Sequence, residues 1–541
     1  MEARRVKWWG WGWEDQAIPL ESRPSLVRYL EDRLKIDFSA AKTIPRVDSV
    51  DAPPSLLTPD ERTEIRQIVG EENLSVDDAD RAAHSGGKGY KDLIRMRSNT
   101  LERAPDVVVY PETDGAVQRL LEHARRRRYA VVPFGGGTSV VGGVDPPEGF
   151  AATISLDVRR MDRVIDVDVG SGLVTAEAGI RGPALEEALA ARGLTLGHFP
   201  QSWEFSTLGG WIATRAAGGL SNRYGRIDAL LVGVRLVTPV RILDVRPFPE
   251  ASHGPDLKEL ILGSEGTLGV ITRATVRAHP VPRVRRFASR VFRSFDAGLA
   301  ALRGMARDRA LPDMAYLSDE EETRFAAANA GVPSRGANLA ARRLVGALFL
   351  MGFEGTSGHV AGRRRLALSY LRASSLNLGP RPAERWFAER FAVPYLRDSF
   401  LDHGILVDTV ETAAPWSKLR DVYRAGRSAL EGGLRKDGSP GIVLCHVSHA
   451  YVDGASLYYT FFAPQRIGRE IEQWEAIKAS VTTAFVTAGG VLSHHHGIGS
   501  DHAPYLERMI GEDGIIVLRA LKRELEPEGI MNPGKLMAGS A

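Results

Sequence analysis

Three consecutive glycines, Gly135, Gly136 and Gly137, directly follow the apolar run Tyr129-Ala130-Val131-Val132 within PFGGGTSVVGG, Pro133 to Gly143. The apolar run reads as a strand. Residues without a Cβ can take positive φ and let successive backbone N–H groups converge on a pyrophosphate, so the stretch predicts a phosphate cradle. It is not the loop of a P-loop NTPase, because Gly137 is followed by Thr138, Ser139 and Val140 where Gly-Lys-Ser/Thr and a helix are required. A Rossmann fingerprint is disfavoured too. Val140 stands where the third glycine belongs, and the chain continues through Gly142, Gly143, Asp145, Pro146 and Pro147. Alone, a glycine turn after a strand reads equally well as an ordinary tight turn, so the rest of the chain must decide.

Two further segments bear on that choice: GHFPQSWEFSTLGGWIATRAAGGLSNRYG, Gly197 to Gly225, and GSEGTLGVIT, Gly263 to Thr272. Both offer many backbone and hydroxyl donors and lie near β-branched runs such as Leu230 to Val237. With Pro133 to Ser139 they resemble the FAD-binding half of the vanillyl-alcohol oxidase superfamily. Within it, GHFPQSWEFSTLGGWIATRA, DTVETAAPW (Asp408 to Trp416), GGVLSHHHGIG (Gly489 to Gly499) and the tryptophan-rich opening Lys7 to Trp13 resemble the alkyldihydroxyacetonephosphate synthase (alkylglycerone-phosphate synthase) family, across nearly the whole chain.

The resemblance implies an α+β fold: a PCMH-type FAD-binding domain, an α/β cap domain and a helical N-terminal arm. It places four segments around the cofactor: Pro133, Phe134, Gly135, Gly136, Gly137, Thr138 and Ser139; Gln201, Ser202, Trp203, Glu204, Phe205, Ser206 and Thr207; Thr214, Arg215, Ala216 and Ala217; and Glu265, Gly266, Thr267, Leu268, Gly269, Val270 and Ile271. Some superfamily members tether FAD through a histidine in the glycine loop. Here only Thr138 and Ser139 follow the glycines, so FAD is expected to be non-covalent.

A chain of 541 residues can bury more than one domain core. The formal charge of +3, from 70 basic and 67 acidic side chains, gives no electrostatic case for nucleic acid. Arg125 to Arg128 follows a helical pattern from Gly115 to Ala124 and reads as a solvated helix end. Cys445, the single cysteine, excludes an intramolecular disulfide and follows Ile442-Val443-Leu444, so it reads as a core residue of a buried strand. No stretch approaches the roughly 18 to 20 apolar residues that span a bilayer. The opening lacks a secretory pattern and the ending GSA is not a peroxisomal tripeptide. A cytoplasmic protein with peripheral membrane contact, acting as a homodimer, is the expectation; arginine far in excess of lysine suits a bacterial chain.

Punctuation along the chain suggests a helical arm over 1–103, with helices at Ser25 to Leu34 and Pro59 to Val69. An FAD-binding domain is expected over 104–282, including a helix at Gly182 to Arg192. A cap or substrate domain follows over 283–480, with strands near Ala347 to Met351 and Leu457 to Phe462, and a C-terminal segment, 481–541, returns to the flavin.

Strand geometry allows only one of Tyr458 and Tyr459 to face a given pocket. The family pattern assigns Tyr458 as general acid/base, and it assigns Arg397 to substrate, where a guanidinium fork suits a phosphate. The competing reading of Arg397 is an ion pair with Asp398 or Asp402. His494, His495 and His496 are expected beside the flavin as catalytic residues. On an extended segment only His494 and His496 would share a face.

The related FAD-dependent 2-hydroxyacid dehydrogenases bind a divalent metal. In their pattern His446 or His449 and His496 could serve as ligands, but Tyr458 and His495 occupy the second histidine and glutamate positions, so no metal is expected. One departure from the synthase pattern is Tyr316, which stands where the family has arginine. The implied activity exchanges the acyl group of an acyl-dihydroxyacetone phosphate for a long-chain fatty alcohol through a flavin N5 adduct without net redox. The alternative is an FAD-dependent oxidoreductase of the 2-hydroxyacid dehydrogenase or alcohol oxidase type.

Overall fold

The computed structural model describes residues 4–38, 51–99, 101–332, 346–371, 374–436 and 438–537. They fall into two units. One takes its residues from Met1–Ile44, Gly219–Arg223 and Pro282–His494, the other from Pro45–Gly218, Tyr224–Val281 and His495–Ala541. The stretch read as an arm, 1–103, is therefore shared between the units, and so is the segment 481–541. Residues group by the core they join rather than by their order along the chain.

In the unit that holds the glycine loop, the described strands include a four-stranded sheet ordered Leu74–Ser75, Val107–Val109, Thr153–Asp157 and Ala130–Phe134. The last three run parallel. Parallel strands are covered on both faces and read as unbroken apolar runs, which is why Val107, Val108 and Val109 are all fully buried. The helix Asp114–Arg127 begins where the Thr113 side chain accepts from the Ala116 N–H, and it buries Val117, Leu120, Leu121 and Ala124 at helical spacing. Arg125, Arg126 and Arg127 fill its last turn, where cations complement the helix dipole.

A five-stranded antiparallel sheet, ordered Val164–Asp168, Leu173–Glu177, Val270–Arg277, Leu231–Val237 and Ile242–Val245, packs a second core that includes Trp211 and Ile212 of the helix Leu208–Thr214. The C-terminal segment joins the first sheet: the Val131 N–H donates to the Ile530 carbonyl and the Asn532 N–H to the Val131 carbonyl.

In the other unit, the described strands form a seven-stranded antiparallel sheet ordered Ser375–Gly379, Val284–Phe292, Ala347–Gly355, Met314–Ser318, Ile442–Val447, Gly454–Pro464 and Ile405–Pro415. Ala347–Gly355 is buried at every position. Gly454–Pro464 is paired on both sides, with Tyr458 opposite Glu411 on one neighbour and opposite His446 on the other. Cys445 is fully buried in its strand. Burial raises its thiol pKa well above the ordinary value, which makes it a core residue rather than a nucleophile.

The tryptophan-rich opening docks within this unit on the helix Tyr395–Asp402. Lys7 Nζ lies 3.1 Å from Asp398 Oδ2, and the Trp11 N–H donates to the same carboxylate. The Trp13 N–H donates to the Tyr395 hydroxyl at 3.2 Å. Gly12 has φ +74°, and a Cβ there would lie 2.2 Å from the Tyr395 ring, so this close approach requires glycine. Asp398 is thus committed to the N-terminal segment, which fixes the helix that carries Arg397. We predict that Asp398→Ala, which strands the Lys7 ammonium in a buried site, lowers stability by about 3–5 kcal/mol, read as a lower urea midpoint for this unit.

Candidate active site

The glycine loop leaves the strand Ala130–Phe134 and runs against the segment after Gln201. A Cβ on Gly136 would lie 2.2 Å from the Phe205 carbonyl oxygen, and one on Gly135 would lie 2.4 Å from Thr207 Oγ1. Gly137 has φ +62°. Among the described residues, the N–H groups of Gly136, Gly137 and Thr138 meet no protein acceptor. A run of uncommitted donors on a backbone too close-packed for side chains is an anion nest. The residues present therefore fit the pyrophosphate of a dinucleotide such as FAD.

The other expected cofactor segments lie in the same unit and are tied to one another. The Glu265 N–H donates to the Ala213 carbonyl, and the Gly263 N–H to that of Ile212. Arg215 closes the helix Leu208–Thr214 in a left-handed conformation. A Cβ on Gly266 would lie 2.8 Å from the Pro133 ring. Asn532, from NPGKLM, donates through Nδ2 to the Glu265 carbonyl at 2.6 Å and to that of Gly143 at 3.0 Å.

Glu265 reaches the loop after the histidines: its carboxylate accepts from the Ile498 N–H at 2.5 Å and the Gly499 N–H at 2.6 Å. Burial pushes its carboxyl up to about 7, against the opposing pull of those two donors.

The second constellation is built on the seven-stranded sheet. Period-two alternation separates the two tyrosines as strand geometry requires. Tyr459 is fully buried, and its hydroxyl donates to the Tyr423 carbonyl at 2.9 Å. Tyr458 is half-buried on the opposite face, with its ring stacked 4.9 Å from that of His446. Burial raises the Tyr458 phenol, which a hydrogen bond with Thr409 and the positive charge of Arg397 oppose, while Glu411 and Asp408 raise it further. Asp398, one of the two carboxylates weighed as an ion-pair partner of Arg397, pairs with Lys7.

His494 is buried in the same unit. Its N–H donates to Glu411 Oε1 at 3.1 Å, its Nε2 lies 2.6 Å from the Tyr451 hydroxyl, and its ring centre is 4.9 Å from that of His449. The other unit holds His495 and His496, whose rings meet edge to face at 4.7 Å. The expectation that at most His494 and His496 share a face holds for an extended segment. Residues 494–496 form bends rather than extended strand, so alternation does not apply. Of the metal-ligand candidates, His446 Nδ1 lies 2.9 Å from Glu322 and 2.8 Å from the Tyr316 hydroxyl, and His449 Nδ1 lies 2.8 Å from Ser448 Oγ.

Sequence reasoning gave no role to Glu322, Tyr451 or the Glu411 carboxylate. Glu411 carried a signal, since it lies within DTVETAAPW. Glu322 and Tyr451 carried none, because their partners lie 124 and 43 residues away.

Residues 105–240 match the family described as "FAD binding domain", and residues 281–536 match "FAD linked oxidases, C-terminal domain". An alkyldihydroxyacetonephosphate synthase of Dictyostelium discoideum is 31% identical over 576 residues, covering 99% of this chain and 94% of the relative. A solved alkyldihydroxyacetonephosphate synthase structure superposes with a TM-score of 0.83 at 30% identity, covering 98% of each chain. A p-cresol methylhydroxylase structure, at 14% identity and a TM-score of 0.69 over 90% of this chain and 99% of its own, shares the fold. With the loop geometry and such agreement along nearly its full length, the chain belongs to the alkyldihydroxyacetonephosphate synthase family of FAD-dependent enzymes.

Proposed function

We propose that this chain exchanges the acyl group of an acyl-dihydroxyacetone phosphate for a long-chain fatty alcohol, releasing a fatty acid and forming an ether without net oxidation. The observation that carries the reading is the agreement with alkyldihydroxyacetonephosphate synthases along nearly the whole chain, with the half-buried Tyr458 stacked on His446 at the position the family pattern gives to proton transfer. When bound, FAD would supply covalent catalysis at its ring system. The protein does the rest. The Gly136 to Thr138 donors and the segments around Glu265 hold the dinucleotide. Arg397 binds the substrate phosphate through its planar fork.

Tyr458 holds and moves a proton at its hydroxyl oxygen, where a raised pKa keeps the phenol protonated until substrate arrives. The histidines assist as hydrogen-bonding and proton-transfer groups: His494 through the Glu411 and Tyr451 contacts, His495 and His496 on the loop that Glu265 grips. We assign no metal to the reaction. A cytoplasmic homodimer in peripheral contact with membrane, which would supply the long-chain substrates, completes the reading. The arginine-rich composition is our reason for placing the chain in a bacterium.

FAD-loaded protein incubated anaerobically with acyl-dihydroxyacetone phosphate and a long-chain alcohol is expected to yield alkyl ether and free fatty acid by mass spectrometry. Substrate-dependent bleaching of the flavin without ether would instead mark an oxidoreductase. Tyr458→Phe is expected to lower kcat by about 10²–10⁴-fold, the usual worth of a positioned acid or base. Arg397→Ala is expected to raise KM for the phosphate substrate by roughly 10- to 100-fold, as loss of a charge-assisted hydrogen bond does.

The grip of Glu265 makes a separate prediction. Its folded pKa of about 7 lies above its ordinary value of 4.5, so its contribution to stability is fully present below about 4.5 and is lost as pH rises through about 7. The melting temperature should therefore fall between pH 5 and 8 more steeply in the parent than in Glu265→Gln.

A further inference from the structure

Three aromatic rings and a carboxylate, from two strands and two helices, form a chain of contacts that ends on Tyr458, and the family resemblance assigns none of them this place. His446 lies directly opposite Tyr458 in the strand ladder, and its ring stacks on Tyr458 with 4.9 Å between centres and 21° between planes. The other face of His446 meets Tyr316 at 4.1 Å and 26°, and Tyr316 in turn meets Trp386 at 4.8 Å.

The middle ring of this stack is clamped. Its Nδ1 lies 2.9 and 3.0 Å from the two carboxylate oxygens of Glu322 and 2.8 Å from the Tyr316 hydroxyl, which also donates to Glu322 Oε1 at 2.7 Å. With its proton on Nδ1, the imidazole donates to the same carboxylate that accepts from Tyr316.

Glu322 is itself held. It sits in the first turn of the helix Glu320–Asn329, where its N–H donates to the Asp319 side chain at 2.8 Å. Asp319 is fully buried and pairs with Arg427 at 2.7 Å. A chain of short contacts thus runs from the helix cap through Glu322 and His446 to the face of the Tyr458 ring. The ring torsion of an isolated tyrosine is broad; packing against an imidazole fixed at both a face and an edge narrows it.

The substitution of Tyr316 for the family arginine fits this arrangement. An arginine there would bring a permanent charge to Glu322, whereas the phenol satisfies one carboxylate oxygen and offers a flat face to His446.

We propose that Tyr316 and Glu322 act through His446 as positioning residues that hold the Tyr458 ring in its reacting orientation. This rests on the assignment of Tyr458 as the proton-transferring group.

The test uses FAD-loaded, full-length protein and two conservative variants, Tyr316→Phe and Glu322→Gln. The first keeps the stack and removes the hydroxyl, and the second keeps the shape and removes one acceptor. In each, kcat for ether formation should fall by about 10- to 100-fold, the effect of displacing a reacting group by about an ångström, while KM for acyl-dihydroxyacetone phosphate stays within about twofold of the parent.

A second readout does not depend on turnover: the fluorine resonance of 3-fluorotyrosine incorporated at position 458 should shift and broaden in both variants at an unchanged melting temperature. A parental kcat, or a parental fluorine line, overturns the proposal. If the parent itself makes no ether, the proposed function falls and the fluorine line alone decides whether the brace exists. If Glu322→Gln does not fold, Tyr316→Phe carries the test.

Discussion

Between Gly136 and the Phe205 carbonyl there is no room for a side chain, since a Cβ would lie 2.2 Å from that oxygen. This backbone-to-backbone approach brings two segments, separated by some 65 residues of strands and helices, into one anion nest. Everything expected of the cofactor follows from it. Among the described residues the donors of Gly136, Gly137 and Thr138 meet no protein acceptor, which leaves them for an anion. The segments containing Arg215, Glu265 and Asn532 then close around the same region through backbone hydrogen bonds and the Asn532 amide.

The seven-stranded sheet solves a different problem. Catalysis by a phenol requires a tyrosine that the fold cannot let wander. Antiparallel pairing on both sides of Gly454–Pro464 fixes the backbone, and alternation sends Tyr459 into the core and Tyr458 out of it. The stack on His446 adds a contact to the ring itself. Arg397 is secured by a separate device. Its helix is held where Lys7 and the Trp11 N–H share the Asp398 carboxylate. Two anchors of distant sequence origin therefore hold the two residues to which the proposed function gives substrate binding and proton transfer.

The fold was legible wherever local chemistry decides local structure. The helix at Pro59–Val69 runs over the span expected, because Thr58 and Glu61 form a capping box and Gly70 ends it. The strand at Ala130–Phe134 follows from its unbroken apolar run. The histidine triplet was read less well. Its alternation presumed an extended backbone, whereas the bends at residues 494–496 are set by tertiary partners such as Glu411 and the Glu265 grip on Ile498 and Gly499. The division of 1–103 between two units was likewise hidden, since no local signal tells which core a helix or loop will join.

The sequence by itself determined the FAD-binding loop, the family and the placement of Tyr458 on a strand. The loop depends on glycine's missing Cβ, the strand on period-two alternation, and FAD and the family on the resemblance of whole motifs, all legible within short stretches of chain. Only the tertiary structure decided that Glu322 and Tyr316 meet His446, which stacks on Tyr458, and that Lys7 pairs with Asp398. Those contacts join residues 124, 130 and 391 positions apart. Their partners are chosen by strand order and helix packing, which no short stretch of sequence encodes.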